Sequence, residues 1–458
     1  MTISGLAGRT GLSMALAGCL LSGCVHYQPA AVSPQRFPAE LDARRLEPPP
    51  ALPWTQAALL SAAIDRAPTV AEAAGAYRSA RAAARAARVP ASATLNLTAE
   101  YSKDAGGTSP WLFGFTSDIP LDVGTRRSSR VATADLAALQ ALYDYGEAVW
   151  SVRMAIRKAT IDRAFFEQQV ALAERLLEVR RDRSAKLALR MRAGEDARPT
   201  ALTAQVELAG AERRLEDARA KQVQAGIALA KALGVGPSAV AGLDISQVGE
   251  APDPPSRGDV ASWRTQAALS RRDVLRAVAG YDQAEAALRL EVARQFPEVH
   301  IGPGYTWERG VTKLPFTLSL VLPPYDLNRA AIAEAEAKRS QAGRALESVQ
   351  ASALAAVDQA DAALSAALTS LQLARTQDLP LAQRTRDSAK RLLTAGEIDK
   401  VDADAAQAAA LEAELTALEA ARQAWTAQSD LEDALRRPFD SAETTVLQTA
   451  IQRLGSPA

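Results

Sequence analysis

The sequence predicts a mainly α-helical protein with a transmembrane β portion, and three observations predict it. Two hairpins alternate apolar and polar residues, very long helical stretches flank them, and the whole order of elements is given twice. Each strand runs roughly ten residues, the length that crosses a bilayer at a tilt. Strands with one apolar and one polar face suit a lipid-facing wall, because every backbone group there must be paired inside the wall.

Residues 1–23 read as a secretory signal peptide. Arg9 is the only charge before an apolar run from Gly11 to Leu21, and that run is too short to span and ends in small residues. The ending Leu21-Ser-Gly-Cys24 resembles the lipobox of bacterial lipoproteins, which implies a covalent lipid on Cys24 as the first residue of the mature chain. Val25 stands where lipoproteins kept at the inner membrane carry Asp, so the same resemblance implies the outer membrane. Cys19 falls in the part removed, which leaves no disulfide in the mature protein. Residues 24–53 hold a proline cluster from Pro29 to Pro53 and read as a lipid-anchored extended arm.

The first repeat covers 54–234. An Ala-rich helical stretch from Trp54 to Arg88 closes before Pro90. Strands follow at about 92–102 and 111–120. The first places Leu95, Leu97, Ala99 and Tyr101 opposite Thr94, Asn96, Thr98 and Glu100, and the second places Trp111, Phe113, Phe115 and Ile119 opposite Gly114, Thr116 and Asp118. The helix at about 125–192 contains no Pro and only one Gly, Gly146. Its roughly seventy residues would extend about 100 Å at 1.5 Å per residue. Arg192-Ala-Gly-Glu-Asp-Ala197 breaks it, and Pro199 suits the first turn of a return helix at about 197–233. In that helix Leu208, Ala211, Leu215, Ala218, Gln222, Ala225, Leu229 and Ala232 form a coiled-coil seam.

Residues 235–258, rich in Pro, Gly and Asp, read as a connector. The second repeat, 259–437, restates the first. A helix from about Asp259 to Gln295 precedes strands at about 298–307 and 313–323, with Val299, Ile301, Tyr305 and Trp307 on one face of the former and Phe316, Leu318, Leu320 and Leu322 on one face of the latter. A long helix at about 326–394 ends at Ala395-Gly-Glu397, the counterpart of Ala193-Gly-Glu195, and a return helix runs over about 397–437 before the tail 438–458. Internal duplication follows. The helix lengths place the connector and the tail around the middle of a long rod, in an equatorial region.

Composition excludes several classes. With 53 basic and 53 acidic residues and a pI of about 6.8, there is no electrostatic footprint for nucleic acid. No apolar run in the mature chain is long enough for a spanning helix, so any crossing falls to the strands. His26 and His300 are the only histidines, no metal-ligand cluster stands out, and no phosphate loop or nucleophile–base pair marks an enzyme. No cofactor is expected beyond the lipid on Cys24. Trp150 and Trp425 lie on helices and read as packing residues. Four strands cannot close on themselves, since the smallest membrane barrels take about eight. The hairpins therefore either pack in a soluble sheet or share a barrel with copies of the chain. A periplasmic coiled-coil scaffold lipoprotein without a pore is the alternative, but it explains the helices and not the strands.

The order of helix, hairpin, long helix, Gly turn and return helix, given twice, resembles the TolC-like outer-membrane efflux channels over Trp54 to Arg437. Arg272-Asp-Val to Arg289, Gln295-Phe-Pro297, Leu322-Pro-Pro-Tyr-Asp-Leu-Asn-Arg329 and Ala333-Glu-Ala-Glu-Ala337 are similar to the cation-efflux (cobalt, zinc and cadmium resistance) branch. The resemblance implies a homotrimer, whose three copies of four strands build a twelve-stranded barrel continued by a long α-helical periplasmic barrel. It implies passive conduction from an inner-membrane pump of the RND type through a periplasmic adaptor, and lipid contact at Tyr101, Trp111, Phe113, Phe115, Tyr305, Trp307, Phe316 and Leu318. Adaptor docking is implied at Ala193, Gly194, Glu195, Ala395, Gly396 and Glu397. The family narrows its tip with inward Asp residues, and Asp402 matches the first of these; Ala405 departs from the second, with Asp399 and Asp404 as substitutes and Lys400 and Arg391 as cations that would hold the tips together.

Overall fold

The structure is a computed structural model that describes residues 27–49, 53–103, 109–245, 251–252, 257–308 and 310–455. The signal peptide and Cys24 lie outside the described residues. The chain divides into two compact units, 1–43 and 44–458.

In the first unit the arm is not wholly extended: α1 (Phe37–Ala43) forms within it. Pro38 sits in its first turn, where a missing N–H costs nothing, and Glu40 faces the positive end of the helix dipole.

The second unit begins with α2 (Gln56–Ile64), capped by the Thr55 hydroxyl accepting from the Ala58 N–H at 3.2 Å, and α3 (Pro68–Ala87). The sequence reads these as one helix. They are two because the residue before Pro68 is pushed out of the helical region, and Ala67 has φ −66°, ψ 122°. Strands β1 (Thr94–Tyr101) and β2 (Trp111–Leu121) lead to α4 (Arg126–Ala193), an unbroken helix of 68 residues, and α5 (Arg198–Leu233) returns beside it.

The second half repeats the order with breaks of its own. Its leading helix is divided into α6 (Arg257–Ser270) and α7 (Arg272–Ala293). No proline stands at the break. Arg271 is extended there (φ −62°, ψ 142°), with its guanidinium held by Asp273 and by the Ala434 carbonyl at 2.6 Å.

Strand β3 (Glu298–Glu308) pairs with β4 (Val311–Lys313) and β5 (Phe316–Val321) in one continuous register, Thr306 opposite Lys313 and Pro303 opposite Phe316. The last strand is therefore interrupted rather than continuous over 313–323. Pro315 supplies no N–H to the ladder, although its carbonyl still accepts from Gly304 N at 2.8 Å.

The second long helix is likewise not continuous. A π-turn at Ala374–Asp378 separates α8 (Arg329–Leu373) from α9 (Leu379–Ala395), because Pro380 cannot donate to the carbonyl one turn back. Helix α10 (Lys400–Leu435) returns, and the tail contains α11 (Ser441–Gly455). Leu447 and Ala450 are buried on its inner face, a stripe with helical spacing that supplies the reason the tail folds.

The core is concentrated at mid-height of α4. Tyr145, Val149, Trp150 and Ile156 pack with Leu59 and Leu60 of α2, Leu229 and Leu233 of α5, and Leu447 of α11. Below this level the helices bury narrow seams of Ala and Leu, such as Leu176, Ala211, Ala408, Leu411 and Leu415. Small seam residues let the helix axes approach closely, so long thin layers hold together with little apolar area. Among the described residues no helix is long and apolar enough to cross a membrane.

Candidate functional site

Two regions present groups to something outside the protomer. The first is the sheet, with order β1-β2-β3-β5 and β4 also on β3. Residues opposite one another in a ladder point to the same face, so register decides whether the apolar halves of the strands coincide. They do. Leu97 stands opposite Phe115 and Phe115 opposite Tyr305; Ala99 is opposite Phe113 and Phe113 opposite Trp307; Ile301 is opposite both Ile119 and Leu318.

Aromatic rings interlock along this face, Trp111 with Phe113 at 5.4 Å, Tyr101 with Trp111 at 5.0 Å and Phe115 with Tyr305 at 6.3 Å. Tyr305 and Trp307 are half-buried by these neighbours, whereas Tyr101, Trp111, Phe113, Phe115, Phe316 and Leu318 are exposed. An apolar patch of this kind on a water-facing surface is a liability unless something covers it. The opposite face is largely polar, with the Asp118 carboxylate 3.0 Å from His300 Nδ1. Strands β1 and β5 lie at the two edges and are exposed along their whole length.

The second region is where α4 turns into α5 and α9 into α10. Both turns are the same motif. Gly194 (φ +81°) and Gly396 (φ +73°) are left-handed C-caps. In the first turn Gly194 N donates to Met191 O at 3.1 Å and Glu195 N to Arg190 O at 2.9 Å; in the second, Gly396 N donates to Leu393 O at 3.1 Å and Glu397 N to Leu392 O at 2.9 Å. Glycine is required by backbone sign, not by crowding, since a Cβ at either position would meet nothing within 4 Å. Ala193, Gly194, Glu195, Ala395, Gly396 and Glu397 are all exposed.

The three tip aspartates separate into different roles. Asp402 is exposed. Asp399 is the N-cap of α10: its carboxylate accepts from Asp402 N at 2.9 Å and pairs with Arg190. The Asp402 N–H, followed by Arg190, holds the Asp399 carboxyl below the usual carboxylate range. Asp404 is 2% exposed, enclosed between Lys186 at 2.9 Å and Lys400. A carboxylate enclosed in this way does not present itself to a lumen, so the expectation that Asp404 lines a constriction is corrected.

The cations holding the tips together are also not those read from the sequence. Lys400 pairs within its own helix and Arg391 is exposed. The ties come instead from α4. Arg180 reaches Glu412 at 3.1 Å, Lys186 reaches Asp404, and Arg190 reaches Asp399 while also holding Asp196 at 2.8 Å. These pairs form a ladder of basic residues of α4 against acidic residues of antiparallel α10, reversed at Asp162 and Arg422 (3.1 Å), and higher up it ends in a buried group of Arg153 and Arg157 with Glu432 and with Glu443 of α11. The signal that could have found it is charge asymmetry between two helices far apart in sequence.

Among the described residues no group of three or more His, Cys, Asp or Glu is placed to hold a metal ion.

The family model for outer membrane efflux protein matches residues 59–235 and 263–435, one match in each repeat. A comparison with curated protein sequences returned no match. Among solved structures, the chain is similar to the outer membrane protein VceC of Vibrio cholerae, with TM-score 0.68 at 17% identity over 84% of this chain and 97% of that one. It is similar to the MtrE outer membrane channel of Neisseria gonorrhoeae in its open state, with TM-score 0.68 at 20% identity over 83% and 89% of the two chains. It is also similar to the CmeC outer membrane channel of Campylobacter jejuni, with TM-score 0.69 at 11% identity over 93% and 97%. At these identities the likeness is one of fold.

Proposed function

Because the chain belongs to the outer membrane efflux protein family, we propose that it is the outer-membrane exit duct of a tripartite efflux system. It works as a homotrimer, conducting passively what an inner-membrane pump of the RND type delivers through a periplasmic adaptor. The observation that carries this reading is the sheet. One face is predominantly apolar, broken by Ser117 opposite Leu95 and Thr312 opposite Trp307, the other is largely polar, and both edges are unpaired within the protomer. Joining β1 of one copy to β5 of the next removes the edges, turns the apolar face to lipid and leaves the polar face around an aqueous pore. A scaffold without a pore would leave that apolar face in water.

The exposed tips at Gly194 and Gly396 are the docking points for the adaptor in this reading. The cationic ladder of α4 holds α10 in the resting position, and Asp402 is the carboxylate offered to the axis. A lipid on Cys24 anchors the arm to the outer membrane. Heavy-metal cations are proposed as cargo from the branch resemblance of Arg272 to Arg289 and Leu322 to Arg329; the pump chooses the cargo and the duct passes it on. Spin labels at Phe113 and Leu318 in the assembled protein test the central claim. Contact with acyl chains at both positions supports the duct, and contact with water at both eliminates it.

A further inference from the structure

At the equator, where α7 begins and α10 ends, several arginines converge and their charges are unevenly matched. Arg271 is occupied by Asp273 and the Ala434 carbonyl. Arg436, in the left-handed conformation that ends α10 (φ +51°), holds Glu147 at 3.2 Å and Asp433. Arg437 lies over the Trp263 ring at 5.2 Å.

Arg272 differs from all three. Its side chain crosses α4 at Gly146, where an added Cβ would meet Arg272 Cδ at 2.6 Å and Nε at 2.9 Å. The single glycine of that helix is thus a notch for this arginine. Arg272 Nη1 is buried and has no hydrogen-bond partner in the protein. Burial pulls the guanidinium below its usual value; Glu147 opposes this and Arg436 adds to it. A buried cationic donor left without an acceptor is costly.

Two cavities adjoin it. One, of about 360 Å³, is lined by Arg272, Arg436 and Arg437 together with Ser441, Thr444 and Gln448. The other, of about 250 Å³, shares the three arginines and adds Gln266 and Ser270. Among the described residues neither lining includes a carboxylate. The nearby Asp440 is turned into its own helix, accepting from Ala442 N at 2.8 Å. The elements around the site pack within the protomer, α7 against α4 and α8 and α10 against α4 and α9.

We propose that this cleft is an oxyanion-binding site, taking a compact phosphate or carboxylate group on Arg272 with Arg436, Arg437 and the Ser441 hydroxyl around it, the Thr444 hydroxyl being already given to the Asp440 carbonyl at 3.2 Å. Guanidinium donors match the paired oxygens of either group, and a hydroxyl adds to the shell without adding charge. The inference goes beyond conduction and does not depend on it.

The test uses the purified full-length protein in detergent, in chloride buffer at constant ionic strength. Calorimetric titration with inorganic phosphate forms one arm and acetate the other. Saturable binding in either arm is expected, the arm that saturates identifying the chemistry, with at least a tenfold loss of affinity in Arg272→Gln. Gly146→Ala keeps every charge and favours the helix, yet displaces Arg272, and is expected to lose affinity as well. No saturable binding of either anion to the unaltered protein would overturn the proposal, and so would unchanged affinity in Gly146→Ala and Arg272→Gln. Because no pore is needed for the measurement, its failure is separate from failure of the duct.

Discussion

Replacing Asp404 with Asn changes one charge and almost no volume, at a point where the ladder between α4 and α10 comes close to the tip. The carboxylate is 2% exposed and takes a hydrogen bond from Lys186 at 2.9 Å. A bond of this type, charged at both ends and buried at one, contributes about 1.5–3 kcal/mol. Lys400, half-exposed and four residues away on the same helix, adds only about 0.3–0.5 kcal/mol. An Asn oxygen retains part of the first interaction, so the net loss is about 2 kcal/mol. If opening separates the α9–α10 tip from α4, the closed state alone is weakened, and at 1.4 kcal/mol per decade the closed-to-open ratio falls about 30-fold. Planar-bilayer recordings of reconstituted trimers measure that ratio directly. Replacing the pair together, Lys186→Met with Asp404→Leu, removes the buried carboxylate and its partner cation at once and is expected to recover much of the closed population. Open probability in Asp404→Asn equal to that of the unaltered trimer would refute the reasoning, since the ladder would then contribute nothing to closure.

Three further outcomes are expected. Gly194→Trp with Gly396→Trp costs about 1–2 kcal/mol per site from the left-handed backbone but meets open space, so heat-modifiable trimers persist on gels while export is lost; full export by this variant would remove the docking assignment. The Asp399 carboxyl is held low, first by the Asp402 N–H, so its tie to Arg190 is complete above the ordinary carboxylate value of about 3.9 and is lost as pH falls through the depressed folded value. Conductance should therefore stay flat from about pH 5 to 8 and rise only in stronger acid, a step that Asp399→Asn removes. Glu443→Ala leaves Arg153 and Arg157 with Glu432 alone in a buried group. Truncating one partner there costs about 3–5 kcal/mol, read as a lower denaturant midpoint and as proteolysis of α11.

Some of this architecture is local and was legible in the chain. A two-residue period at Trp111, Phe113 and Phe115 assigns a strand face without knowledge of its neighbours. The recurrence of Ala-Gly-Glu at 193–195 and 395–397 marks two turns whose backbone sign only glycine readily adopts. The helix breaks follow from proline itself, at Pro68 through the extended residue it imposes before it and at Pro380 through a missing N–H, and were open to the same reading, although the helical period around them concealed both.

Other features depend on distance. The break at Arg271 exists because a carbonyl of α10 holds its guanidinium. Asp399, Asp402 and Asp404 lie within one turn and a half of each other, and nothing in their spacing separates a cap, an exposed carboxylate and an enclosed one. What separates them is which α4 cation comes opposite, Arg190 or Lys186, more than two hundred residues away in sequence. The sequence by itself determined the period of each element, the signs of its turns and the doubling of the whole. Only the tertiary structure decided which charge faces which, because the rotation of one helix against another is set by packing along their entire length and is encoded in neither helix alone.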